Sequence, residues 1–94
     1  MEKLLKLEKG VCSFFGIDIK MLYEKYTTKD INIVRSYIMY IAHYDYGIST
    51  NKLAMRYRRT RRNVFRFISN MKFYIENFKE SRLEYTQIKK HIEI

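Results

Sequence analysis

Apolar residues recur at intervals of three and four along most of this chain, and very little in the sequence would interrupt a helix. The 94 residues include no proline and only three glycines. Because a three-to-four spacing places side chains on one face of a helix, this pattern predicts an all-α protein of five or six helices. The length predicts a single domain over residues 1–94, and a hydrophobic content of 47% excludes a disordered tail.

Local start and stop signals divide the first half of the chain into three predicted helices. Gly16 and Gly47 are expected to end the first and third, Asp18 to cap the second, and a Thr-x-x-Asp pattern at Thr27 and Asp30 to begin the third. The predicted bounds are about Lys3–Phe15, Ile19–Lys25 and Lys29–Tyr46.

The third predicted helix is apolar on two faces, which indicates a central position with neighbours on both sides. One stripe comprises Ile31, Val34, Ile38, Ile41 and Ala42, and the other comprises Ile33, Tyr37, Tyr40 and Tyr44. The tyrosines are interpreted as packing at the core edge, where their hydroxyls reach solvent, rather than as a ligand site.

A helix-turn-helix is predicted at about residues 50–76. Ser49 or Thr50 caps its first helix, which Tyr57 closes, and Arg58-Arg59-Thr60 connects it to a second helix capped by Thr60. The small residue Ala54 is expected where the two helices approach. On the second helix, one stripe should face the core: Val64, Phe67, Ile68, Met71 and Ile75.

The same region is one-sidedly basic. Residues 52–72 contain eight Lys/Arg and no Asp or Glu, whereas a solvated helix face normally mixes signs. Residues 1–47 carry a balance of +1 and residues 48–94 a balance of +8. The first half is therefore interpreted as scaffold and the second as a contact surface for a polyanion.

The chain continues through residues 77–80 to a predicted last helix. Ser81 and Glu84 form a Ser-x-x-Glu capping box for it, and Tyr85, Ile88 and Ile92 form its apolar stripe.

Other function classes lack their sequence signals. No Gly-rich phosphate loop or paired-carboxylate spacing occurs, so no enzyme activity and no cofactor are expected. The single cysteine, Cys12, is interpreted as a small buried residue, and His43 and His91 as structural rather than metal ligands. No apolar run is long enough to span a bilayer, and the charged N-terminus does not resemble a secretion signal. The expected location is a reducing cytoplasm, on the nucleoid, without membrane or small-molecule partners.

Two segments resemble the DNA-binding C-terminal domain of the bacterial chromosomal replication initiator DnaA, whose fold is akin to the Trp repressor. The family's opening segment is matched by Val11, Phe14, Phe15 and Ile17, and a pattern in its long helix by Arg35, Met39 and Tyr40. The resemblance covers about residues 8–76. It implies a helical bundle containing a helix-turn-helix that binds duplex DNA in a replication or transcription role.

The chain departs from this family in its DNA-reading signature. Where the family resembles Gly-Arg-Asp-His-Thr-Thr-Val, Val64 is retained and Thr60, Arg61, Arg62 and Asn63 replace Asp-His-Thr-Thr. The preceding turn is one residue shorter, and the basic loop reads Tyr26-Thr27-Thr28-Lys29 instead of several arginines. The resemblance therefore implies the fold and duplex binding, but not the initiator's own target sequence. The initiator's ATPase module has no counterpart here.

The predicted contacts fall into two groups, with the helix after Thr60 in the major groove. Candidate base contacts are Arg61, Arg62, Asn63, Phe65 and Arg66. Candidate phosphate contacts are Lys29, Lys52, Arg56, Arg58, Arg59, Thr60 and Ser69, of which Lys29 would approach the minor groove by the resemblance.

Two alternatives stay open at this level. The basic surface could bind an acidic protein instead of DNA, in which case the chain is an adaptor. Arg35 either serves the family's function or bridges helices. The oligomeric state and the target sequence do not follow from the sequence.

Overall fold

The computed structural model describes residues 2–24 and 28–92. Five α-helices make up most of that part of the chain, with a 3-10 turn at Ile19–Tyr23 between the first two. They are α1 (Glu2–Phe15), α2 (Lys29–Tyr44), α3 (Thr50–Tyr57), α4 (Arg61–Asn77) and α5 (Lys79–Ile92). The predicted all-α class is confirmed, and the described residues contain no strand.

Helix α2 is central, as its two apolar faces predicted. Its first stripe is buried in the core from Ile31 to Ala42, and the helix packs on α1 and α4. On its second face Tyr37 is buried and its hydroxyl donates to Glu84 of α5 at 2.7 Å. Tyr40 meets the ring of Tyr85 edge-on. The second stripe therefore faces α5, and its ends, Ile33 and Tyr44, reach solvent.

The glycines end helices where the sequence placed them. Gly16 has φ +69° and follows α1, and Ile17 N–H closes the end of the helix by donating to Cys12 carbonyl at 3.0 Å. Gly47 has φ +68°. Helix α2 nevertheless ends at Tyr44, two residues before the predicted Tyr46. The regular pattern stops there because Tyr46 N–H donates to Ile41 carbonyl, five residues back, and Ile48 N–H donates to Ala42 carbonyl, six residues back.

Helix α5 begins earlier than predicted. The Ser81–Glu84 capping box is wrong, since α5 starts at Lys79 and only Phe78 separates it from α4. Glu84 accepts the Tyr37 hydroxyl instead of capping its own helix.

The predicted cap at Asp18 is confirmed, since its Oδ1 accepts from Lys20 N–H at 3.0 Å, but the helix that follows and the next cap differ from the prediction. The segment after Asp18 is a 3-10 turn that ends at Tyr23, not an α-helix to Lys25. Helix α2 is capped by Thr28, whose Oγ1 accepts from Ile31 N–H at 3.3 Å. The expected cap residue Thr27 lies outside the described residues, as do Lys25 and Tyr26.

Helices α1 and α5 approach closely at Gly10. A Cβ built at this position would lie 2.7 Å from Cγ2 of Ile92, so the absence of a side chain permits the contact. Together, α1, α2 and α5 form the body against which α3 and α4 are held.

Candidate nucleic-acid interface

A three-residue connection joins α3 to α4, as predicted. Ser49 Oγ accepts from Lys52 N–H at 3.2 Å and begins α3, and Thr60 Oγ1 accepts from Asn63 N–H at 3.1 Å and begins α4. These caps satisfy backbone donors that a helix start leaves free. Ala54 and Tyr57 are buried, which holds α3 against the core.

Arg58 occupies the one left-handed position taken by a residue other than glycine in the described chain, with φ 53° and ψ 48°. Arg59 N–H donates to Ala54 carbonyl at 2.9 Å across it, so Arg58 fills the position that glycine usually takes at a helix end. A side chain here costs about 1 kcal/mol or more of backbone strain. Helix capping alone would favour glycine over arginine at this position.

Helix α4 separates a buried face from a basic one. Val64, Ile68, Met71 and Ile75 are buried, and Phe67 packs half-buried against the same core. The opposite side is exposed and carries Arg62, Arg66 and Ser69, with Arg61 and Phe65 on one flank. Phe65 is 56% exposed, which is high for a phenylalanine that serves no contact.

Asn63 lies on the other flank and is only half-buried. The guanidinium of Arg59 lies 5.6 Å from the centre of the Phe67 ring and donates to Asn63 Oδ1 at 3.5 Å. Arg59 therefore bridges the connection to α4, and it occupies the amide oxygen of Asn63.

Arg56 is partly buried, with 21% of its side chain exposed, and its guanidinium is paired with an acidic residue of α1. Its guanidinium forms two hydrogen bonds with the fully buried carboxylate of Glu8, from Nε at 2.9 Å and from Nη2 at 2.6 Å. The charge of Arg56 is thereby offset by Glu8, which makes it a weaker candidate for a phosphate contact than the arginines around it, which form no ion pair within the described residues. Its role is to join α3 to α1.

Two tyrosines complete the site around Glu8. The hydroxyls of Tyr23 and Tyr57 donate to its Oε2 at 2.6 and 2.5 Å, and their rings stack with centroids 5.7 Å apart. Burial alone would raise the pKa of Glu8, but the hydrogen bonds from Arg56, Tyr23 and Tyr57 outweigh it and hold the pKa below its usual 4.5. Burial and the bond to Glu8 raise the pKa of Tyr23 to about 12.

The sequence contained one signal for this network. Glu8 lies on the apolar stripe of α1 between Leu7 and Val11, and a carboxylate in that register must be paired if the stripe is buried. Its partner, 48 residues away, could not be identified from local patterns.

Arg35 joins α2 to the 3-10 turn, so its role is structural. Its buried guanidinium donates to the carbonyls of Leu22, Met21 and Glu24 at 2.9, 3.1 and 3.2 Å. It thereby fixes the 3-10 turn against α2. Burial, followed by the nearby charge of Arg59, lowers the pKa of Arg35.

Two predicted phosphate contacts, Lys52 and Lys29, lie outside the α3–α4 connection and α4. Both are exposed, but they lie on different surfaces. Lys52 lies in the first turn of α3, at the opposite end of that helix from the connection Arg58–Thr60. Lys29 instead lines a groove of about 350 Å³ between α2, α4 and α5, together with Asn70 and Tyr74. It is therefore associated with the middle of α4 rather than with its first turn.

The remaining reactive residue types lie in structural settings. Cys12 is buried, and burial raises the pKa of its thiol to about 11. His43 Nδ1 lies 3.0 Å from the carbonyl of Ile48, and His91 lies against Phe14. Residues 2–24 and 28–92 include no group of three or more His, Cys, Asp or Glu that could hold a metal ion. Within the same ranges, no helix has the length and apolar character needed to cross a membrane.

Comparisons with protein-family models, with curated proteins and with solved structures returned no match for this chain. The resemblance to the replication initiator's domain therefore stays a prediction from the sequence.

Proposed function

We propose that this protein binds double-stranded DNA, with α4 in the major groove and the α3–α4 connection against the phosphates. The main support for this proposal is the uniformly positive charge around the α3–α4 connection. Residues 46–75 contain no Asp or Glu. Glu8, which contacts α3, is buried and paired with Arg56, so it does not offset the charge of the exposed arginines.

The first turn of α4 supports this proposal independently. Arg61 and Arg62 occupy its first two positions, where the helix dipole disfavours positive charge and no acidic residue balances them. Together with the strained Arg58, they place three exposed arginines where backbone energetics favour other residues. A bound phosphate backbone would stabilise these arginines through its negative charge.

The contacts divide by position. Arg62 and Arg66 are the leading candidates for guanine edges, since arginine binds O6 and N7 with two hydrogen bonds. Arg61 and Phe65 lie beside them, and Phe65 suits a thymine methyl. Lys52, Arg58, Arg59, Thr60 and Ser69 are assigned to phosphates. Arg56 is left out because of its pairing with Glu8, and Asn63 is secondary because Arg59 holds its amide.

Selection of binding sites from random duplex DNA tests the proposal and supplies a target. With that target, Arg62→Ala and Arg66→Ala should each reduce discrimination between target and scrambled duplex by about 1–3 kcal/mol. Arg58→Ala should weaken both duplexes alike. Lys90→Ala removes one exposed charge on α5 and serves as the control.

The rival interpretation is an adaptor for an acidic protein. Competition measured by fluorescence anisotropy distinguishes DNA binding from binding to an acidic protein. If the protein binds DNA, unlabelled nucleic acid should displace the labelled duplex, and polyglutamate at the same concentration of charge should not. Equal displacement by polyglutamate, together with failure to select any sequence, would favour the adaptor. A replication or transcription accessory role is suggested by the sequence resemblance alone.

A further inference from the structure

Three aromatic rings cluster on the surface at the junction of α4 and α5, at the opposite end of α4 from the basic connection. Phe73, Tyr74 and Phe78 are 55%, 47% and 49% exposed. Their ring centroids lie 5.8–6.1 Å apart in every pairing. Single exposed apolar residues are ordinary, but contiguous aromatic rings mark contact surfaces. We refer to these three residues as the aromatic junction.

A cleft of about 400 Å³ adjoins the aromatic junction. Tyr74 and Phe78 form its apolar side, and Lys79, Glu80 and Ser81 form the other. A projecting ring beside an open cleft is an arrangement that a two-fold contact can use. In a two-fold dimer, a ring of each copy lies against the cleft of the other.

The local charge distinguishes this surface from the basic region of α3 and α4. Residues 73–84 carry three acidic and two basic side chains, a balance of −1, whereas residues 52–72 carry eight basic side chains and no acidic one. Compared with contact through the basic region, two copies of a chain with a net charge of +9 repel each other less at such a surface. Its acidic residues also make it unsuitable for nucleic acid or for an acidic protein.

Lys79 and Glu80 provide charge complementarity of the kind that a two-fold contact uses. They are adjacent, exposed and opposite in sign, and neither forms an ion pair within residues 2–24 and 28–92. Across a two-fold axis, Lys79 of one copy faces Glu80 of the other, and the contact occurs twice.

Hydrogen bonds within the chain also fix the angle between α4 and α5 at the aromatic junction. Arg82 donates from Nη1 to the carbonyls of Ile75 and Glu76 at 3.4 and 3.0 Å, which closes the end of α4 and fixes the angle to α5. A preorganised surface loses less conformational entropy on association.

We propose that the aromatic junction is the contact surface between two copies of this chain in a two-fold dimer. Along α4, Phe73 lies 13 residues from Thr60, or about 20 Å, and Phe78 lies farther away. The basic connection of each copy therefore stays free in the dimer.

Sedimentation equilibrium without DNA tests the proposal. The parent should approach twice the monomer mass of 11.6 kDa as its concentration rises to about 100 µM, a range suited to a small interface. The double variant Phe73→Ser with Phe78→Ser should stay monomeric and folded, with only a modest fall in melting temperature because about half of each side chain is already exposed. Met55→Ser, which alters an 80% exposed apolar residue on α3, is the control and should dimerise like the parent.

A charge exchange tests the register of the contact. Lys79→Glu and Glu80→Lys should each raise the dissociation constant about tenfold, and the double exchange should restore it. A monomeric parent at the highest concentration, or a Phe73/Phe78 variant that dimerises like the parent, would overturn the proposal. Since no DNA is present, neither result bears on the proposed DNA binding.

Discussion

The guanidinium of Arg56 and the buried carboxylate of Glu8 form a two-bond ion pair, 2.6 Å at its shortest, that joins α3 to α1 across 48 residues of sequence. This pair does two things at once. It fixes the first helix of the proposed DNA-binding unit on the scaffold, and it offsets the charge of Arg56, which leaves the other arginines of the connection and of α4 as the candidate DNA contacts.

Loss of Arg56 should therefore reduce stability in a pH-dependent way. Arg56→Ala leaves Glu8 buried without a cation and should cost about 3 kcal/mol at neutral pH. In the parent the folded pKa of Glu8 lies below 4.5, so its contribution is present above that pH and is lost as the pH falls through the lowered value. Without Arg56, the effect of burial dominates and the pKa of Glu8 in the folded variant rises. Protonation of Glu8 then removes the unpaired buried charge and reduces the loss of stability.

Urea unfolding of parent and variant at neutral pH and at about pH 4 measures this effect. The difference between the two proteins should shrink at the lower pH. Arg66→Ala is the matched control, because it removes an exposed arginine and should not change stability at either pH. A pH-independent deficit for Arg56→Ala would mean that lost packing, and not the ion pair, explains its cost.

Arg58 should show opposite effects on stability and on binding. Arg58→Gly relieves a left-handed position at φ 53° and should stabilise the domain by about 0.5–1 kcal/mol. It should also weaken all duplexes alike, because it removes a phosphate contact.

Arg58→Ala separates the two effects, since alanine keeps the Cβ and the strain but lacks the charge. Thermal melts and duplex titrations of both variants give the result. A glycine variant no more stable than the alanine variant would contradict the strain, and parental affinity in both would contradict the phosphate contact.

Local signals sufficed to predict the α3–α4 connection. The caps at Ser49 and Thr60 and the buried stripe that begins at Val64 depend on residues within a turn or two of one another. Local signals did not predict contacts between residues that are far apart in the sequence. Glu84 fits a capping box in sequence but accepts the hydroxyl of Tyr37, and Arg56 looks like one more surface arginine until Glu8 is found beside it.

The register of α4 decides which side chains face DNA. Val64→Asp should unfold or loosen the domain, because an unpaired carboxylate at a fully buried position costs several kcal/mol out of about 5–10 available. Arg62→Asp should leave the melting temperature unchanged or slightly higher, since a negative charge suits the start of a helix. It should abolish duplex binding.

Circular dichroism melts of these two variants provide the check. If Val64→Asp melts like the parent while Arg62→Asp melts much lower, the assignment of the DNA-facing side of α4 is wrong.

The salt dependence of duplex binding tests the central claim most directly. Each phosphate neutralised by Lys or Arg releases a condensed counterion, so affinity falls as salt rises. With about five phosphates contacted, a plot of log affinity against log salt concentration should have a slope of roughly −4 to −5. Fluorescence anisotropy with a labelled duplex gives this slope. A slope near zero, or no binding to any duplex at low salt, would contradict the proposal that this basic surface binds DNA.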